Sequence, residues 1–151
     1  MQMGIDKDIH QNKFRNERHK AMVNLLFTYG WTIERLKQYV SEGGITHQQF
    51  NILRILRGSH PTPISTLTIR ERMIDKMSDT SRIVDRLLSK GLVKKVICKK
   101  DRRLVDVTIT DKGLKLLEKL DSKENDMDDI LSNLSEKEAG ALSKLLDKIR
   151  S

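Results

Sequence analysis

At 151 residues the chain has room for one domain with a real core and too little for two ordinary ones. Hydrophobic residues make up 37% and aromatics only 4%, against 33% charged, so the core must be built mainly from Leu, Ile, Val and Met in an α-rich architecture. No apolar run approaches about 18 residues, the opening MQMGIDKDIHQNKFRNERHK carries no apolar segment behind its charges, and one cysteine excludes an internal disulfide, so a cytoplasmic protein without a membrane span is expected.

The net charge of +8 and pI near 9.7 favour a polyanionic partner, and the placement of charge says more than the total. Residues 70–103 carry twelve Lys and Arg against five Asp and Glu, whereas residues 111–151 carry eight against ten. Counterion release rewards such local density on a phosphate backbone. The blander alternative is a solvated basic face.

Along the chain, Phe14, Ala21, Met22, Leu25, Leu26, Tyr29, Ile33, Leu36 and Val40 recur at three- and four-residue steps, which predicts one long helix from about Ile9 to Val40, interrupted only by Gly30 and ended by SEGG. Its stripe is longer than a domain of this size can cover, and so points to another chain. In ITHQQF, Thr46 and Gln49 stand at the spacing of a capping box, with Ile45 and Phe50 at that of a hydrophobic staple. A second helix therefore starts near His47, buries Phe50, Leu53 and Leu56, and ends at Gly58, Pro61 and Pro63.

STLTIRERM, residues 65–73, predicts a short helix with Leu67, Ile69 and Met73 inward. After a break at residues 74–77, SDTSRIVDRLLSKGLV places Thr80, Ile83, Val84, Leu87 and Leu88 on one helical face and Gly91 at the C-terminal cap. Two helices joined by a tight turn, the second bearing Arg on its open face, describe a helix-turn-helix. The period then changes: Val93, Val96 and Ile97 make a β-like run, while Val105, Val107 and Ile109 alternate with Asp106, Thr108 and Thr110 as in a half-buried strand. Between them lies KKDRR, the cationic tip of a hairpin narrow enough to enter or flank a minor groove. Thr110 and Asp111 cap a further helix with Leu114, Leu117 and Leu120 inward. DSKENDMDD is exposed helix or a bend, and Ser135 with Glu138 forms a second capping box ahead of Ala141, Leu142, Leu145, Leu146 and Ile149.

This order of elements resembles the multiple-antibiotic-resistance-regulator (MarR) family of winged-helix transcription factors. SRIVDRLLSKGLVKK resembles the family's recognition helix running into its first wing strand, and DRRLVDVTITDKG resembles its wing signature, Asp-x-Arg followed by an alternating strand and a Thr-x-x-Gly helix start. The resemblance implies a mainly α fold with a small β wing, a winged helix-turn-helix plus N- and C-terminal dimerisation helices. It also implies one MarR-like domain over residues 1–151, with 1–44 and 111–151 dimerising and 45–110 forming the DNA-binding lobe. A homodimer would set two recognition helices on a pseudo-palindromic operator, usually as a repressor, and a small lipophilic or phenolic effector would release it. The turn MIDK, residues 73–76, departs from the family's compact turn and leaves Asp75 or Ser78 to cap the recognition helix. The redox branch's reactive cysteine lies near the chain start, so Cys98 does not carry that switch over.

Ser78, Asp79, Ser81, Arg82 and Arg86 are the candidates for major-groove contact. Arg82 and Arg86 lie one turn apart, and a bidentate Arg on guanine discriminates by about 1–3 kcal/mol. Against this stands a surface pairing of either Arg with Asp79 or Asp85, worth about 0.3–0.5 kcal/mol. Asp79 either repels phosphate or accepts from cytosine. In the wing, Asp101 braces Arg103 for the minor groove while Lys99, Lys100 and Arg102 meet phosphates, unless the loop is merely basic and solvated. Phe27, Tyr29, Trp31, Tyr39, Phe50 and Met73 are candidates for a ligand pocket, the competing reading being ordinary core. His10, His19, His47 and His60 are not at metal-ligand spacing, and no cofactor is expected. With no Gly-rich phosphate loop, HExxH or flanked nucleophile, no enzyme is expected. The alternative class is a winged-helix module whose basic face binds RNA or an acidic protein without reading DNA sequence.

Overall fold

The computed structural model describes residues 4–101, 105–122 and 127–151. They fall into two units, Met1–Leu36 and Lys37–Ser151. In the first lie a one-turn helix α1 (Ile5–Asp8) and most of α2 (Glu17–Ser41). Helix α2 begins at Glu17 rather than near Ile9, because Asn16 Oδ1 accepts from the backbone N–H of His19 at 2.9 Å and so caps the helix there. His10, at φ 53, has already left helical backbone. Gly30 does not break α2. Along it Met22, Leu25, Leu26 and Tyr29 remain exposed, Leu26 at 65%.

The second unit takes up the chain at the end of α2, where Gly44 turns it at φ 66. Helix α3 (His47–Ser59) starts on the expected capping box: Thr46 Oγ1 accepts from Gln49 N–H at 3.2 Å, and Gln49 Oε1 accepts from Thr46 N–H at 3.1 Å. Phe50, Ile52, Leu53 and Leu56 are buried on it. There follow β1 (Ile64–Ser65), α4 (Thr66–Arg72), α5 (Thr80–Ser89), β2 (Val93–Ile97), β3 (Val105–Ile109), α6 (Asp111–Asp121), a 3-10 turn at Met127–Leu131 and α7 (Glu136–Ile149).

The sheet is antiparallel in the order β1-β3-β2, with Val93 opposite Ile109 and Ile97 opposite Val105 in the hairpin, and Ile64 opposite Val107 on the other edge. Strand β1 was not foreseen; two residues after Pro63 have no periodicity to read. Its presence makes β3 the central strand, and Thr108, expected on an open face, is buried at 6%. Leu67 also departs from expectation. Ile69 and Met73 are the buried pair of α4, one turn apart, and Leu67 stands about 200° round the helix from Ile69, 58% exposed.

A junction beside α5 fixes where the hairpin lies. Gly91, at φ 71, reverses the chain after α5, and Leu92 N–H bonds back to Leu87 O at 3.0 Å. Thr110, at the far end of the hairpin, donates its N–H to Leu92 O at 3.1 Å and its hydroxyl to Gly91 O at 2.8 Å, and the same hydroxyl accepts from Gly113 N–H at 3.2 Å to cap α6. A Cβ on Gly113 would collide with the Leu92 carbonyl oxygen and with Ile109 Cγ1. The Thr-x-x-Gly signature is therefore a cap followed by a close approach that admits no side chain.

Helix α7 opens on a second capping box, with Ser135 N–H donating to Glu138 Oε2 at 2.9 Å. Backbone and side-chain hydrogen bonds from Ser135 hold the Glu138 carboxyl below the usual carboxylate range. Leu142, Leu145 and Ile149 are exposed on α7, the last two at 61% and 67%. Replacing Gly113 by Ala should lower the free energy of unfolding by about 2 kcal/mol. Gly58→Ala, in open space on α3, should raise it by about 0.5–1 kcal/mol. Urea denaturation of the two variants measures both.

Candidate nucleic-acid interface

Helices α4 and α5 form the helix-turn-helix, and the turn between them is held at several points. Met73, 2% exposed, roots it in the core. Asn51 Oδ1, on α3, accepts from Ile74 N–H at 2.9 Å, Asp75 Oδ1 accepts from Met77 N–H at 3.0 Å, and Asp75 O accepts from Ser78 N–H at 3.3 Å. Lys76 Nζ donates to Glu71 O. The cap of α5 is neither Asp75 nor Ser78, as the turn had suggested, but Asp79, whose Oδ1 accepts from Arg82 N–H at 3.1 Å. Asp75 closes the turn instead. The hydroxyls of Ser78 and Thr80 are buried without a hydrogen-bond partner among the described residues.

On α5, Thr80, Val84 and Leu87 point inward while Ser81, Arg82, Asp85 and Arg86 are exposed. Arg82 and Arg86, one turn apart, share the open face. Among the described residues neither enters an ion pair. Asp85 pairs instead with Lys95 of β2 at 3.0 Å, which ties the hairpin to the helix. That pair is 47% and 64% exposed, so it is worth about 0–1 kcal/mol. Beyond β2, Lys99 and Lys100 are exposed, and Cys98 and Asp101 are half-buried. Arg102 and Arg103, the other two cations assigned to the wing, lie outside the described residues.

The six aromatic and apolar residues considered for a ligand pocket divide between the two units. Tyr39 and Phe50 meet edge to face at 5.9 Å, and Tyr39 Oη donates to Leu120 O at 2.8 Å; Phe50 and Met73 are buried core. In the first unit Phe27 and Tyr29 are exposed, and Trp31 stacks under the Arg35 guanidinium at 3.4 Å. Two open grooves lie elsewhere in the second unit. One, of about 300 Å³, sits at the α4–α5 mouth between Thr66, Leu67, Arg70 and residues 78–81. The other, of about 520 Å³, sets Lys90, Lys112, Lys115 and Lys119 around Ile45, Leu92 and Leu116. His47 is held below its usual range, chiefly by burial and then by Lys37, against an opposing pull from Asp75. Among the described residues no group of His, Cys, Asp and Glu could hold a metal ion, and no helix is long and apolar enough to cross a membrane.

Sequence reasoning missed the Asp79 cap and the Lys95–Asp85 tie. The cap had a signal: the apolar period of α5 begins at Thr80, directly after an Asp. The tie had none, because it joins two elements. Loss of the cap in Asp79→Ala should cost about 1 kcal/mol of stability, while Asp79→Asn should retain it. Thermal unfolding of the pair distinguishes a capping carboxylate from a purely DNA-directed one.

Residues 45–105 match the MarR family. The chain is 32% identical over 149 residues to the HTH-type transcriptional regulator PecS of Dickeya dadantii, covering 91% of this chain and 88% of that protein. It is 35% identical over 96 residues to the HTH-type transcriptional repressor MdtR of Bacillus subtilis, covering 63% and 61%. Among solved structures, a MarR transcription factor from Planctomyces limnophilus matches at 32% identity with a TM-score of 0.67, over 89% of this chain and 98% of the other. A mutant MarR from E. coli complexed with operator DNA matches at 25% identity with a TM-score of 0.78, over 91% and 99%.

Proposed function

Because this chain belongs to the MarR family, and is thereby a DNA-binding transcriptional regulator rather than an enzyme, we propose that it represses transcription as a homodimer on a pseudo-palindromic operator. The observation that carries the reading is the open face of α5. Arg82 and Arg86 stand exposed behind a capped helix start, free of ion pairs among the described residues, and the acid beside them is engaged by Lys95. Arg82 and Arg86 read base edges in the major groove, Ser78 and Ser81 flank them, and Lys99 and Lys100 of the wing meet phosphates. In the same reading Arg102 and Arg103 complete the wing, with Asp101 bracing Arg103.

Two exposed apolar stripes support the dimer. Met22, Leu25, Leu26 and Tyr29 on α2, and Leu142, Leu145 and Ile149 on α7, expose apolar surface at helical spacing in each unit. A small lipophilic or phenolic effector forms the finer part of the proposal, with the half-buried Tyr39 as its aromatic contact in the second unit.

A genomic footprint with the purified chain tests the function. Protection of a palindrome with half-sites about one helical turn apart supports it, and sequence-blind retardation would favour the RNA- or protein-binding module instead. Arg82→Ala should relax base preference at one position per half-site by about 1–3 kcal/mol. Neutralising Lys99 and Lys100 should weaken binding evenly across sequences and make the salt dependence shallower, by about one slope unit for each phosphate left without its cation. In sedimentation, Leu145→Glu should shift the protein to monomer; a species unchanged in mass would remove α7 from the interface.

A further inference from the structure

The α4–α5 turn presents two apolar side chains that nothing assigned above explains: Ile74 is 86% exposed and Met77 is 93% exposed. They are not on a loose loop. Ile74 N–H is held by Asn51 of α3, Met77 N–H by the Asp75 carboxylate, and the next residue bonds back to Asp75 O, while Met73 anchors the start of the turn in the core. A pinned turn offers its side chains from a backbone that needs little further ordering on binding.

What they meet follows from where they stand. Met77 lies two residues ahead of the Asp79 cap, so its Cα is within about 7 Å of the cap's. The first residues of a recognition helix are those that reach base edges. Cations lie within the turn and beyond it, at Lys76 and Arg82, so the surface as a whole suits a polyanion. In the major groove of a polyanionic duplex one group is apolar, the C5-methyl of thymine. We propose that Ile74 and Met77 read thymine methyls at the positions flanking those contacted by Arg82. They thereby add a specificity determinant that lies outside the recognition helix. This rests on the operator-binding reading above, and it adds that part of the sequence preference is apolar and salt-independent.

The test uses the full chain and a duplex enriched from a random library. Thymines of the enriched site are replaced one at a time by deoxyuridine, which removes only the methyl group, and each duplex is titrated with the unaltered protein and with an Ile74→Ala, Met77→Ala double variant. Both side chains are exposed, so the variant should fold as the parent does. One or two replacements should weaken the parent about four-fold each, the value of one buried methyl. The variant should bind those duplexes and the thymine-bearing one equally. The proposal is overturned if every methyl is silent, if the enriched site carries no thymine beside the arginine-read bases, or if the variant shows the same penalty as the parent. Failure to enrich any sequence would instead bring down the operator reading itself, a result distinct from an enriched site indifferent to its methyls.

Discussion

The position of the wing depends on one polar junction, at which Thr110 meets the turn after α5. Its N–H and hydroxyl satisfy the carbonyls of Leu92 and Gly91, and the same hydroxyl accepts from the Gly113 N–H in the first turn of α6. Buried main-chain groups left without partners are costly, so both ends of the hairpin are drawn to one place beside the recognition helix. Gly113 has to lack a side chain for this to close, since the Leu92 carbonyl occupies the space. The exposed Lys95–Asp85 pair reinforces an arrangement that backbone geometry has already set.

Three of the five acids of the basic block serve the scaffold. Asp79 caps α5, Asp75 closes the turn, and Asp85 engages Lys95. With those three carboxylates engaged locally, Arg82, Arg86, Lys94, Lys99 and Lys100 are left exposed. Net charge understates such a surface, because what a phosphate meets depends on which charges are free to face it.

Much of this was legible in the sequence wherever the signal was local. Both capping boxes, the glycine ending α5, and the buried Val84 and Leu87 follow from spacing alone, because caps and helical faces are set within four residues. What escaped was set by neighbours distant in sequence. Strand β1 exists because β3 offers it an edge, and Leu67 is exposed because Ile69 and Met73 take the inner face of α4. The start of α2 was misplaced because Phe14 imitated its stripe ahead of the Asn16 cap. In the site, the arginine face could be read from the helix period, whereas the cap identity required knowing where the turn stops.

The Asp79 cap has one more consequence, for divergence among paralogues. Its side chain answers to the helix, so only the few short residues able to accept from an amide can replace it without loss, whereas the side chains at positions 81, 82 and 86 answer to no partner among the described residues. On the proposed operator reading, substitutions at those three positions would alter target choice while foldability is left alone. If that reading holds, specificity on this scaffold can change at a handful of outward sites with no compensating change in its interior.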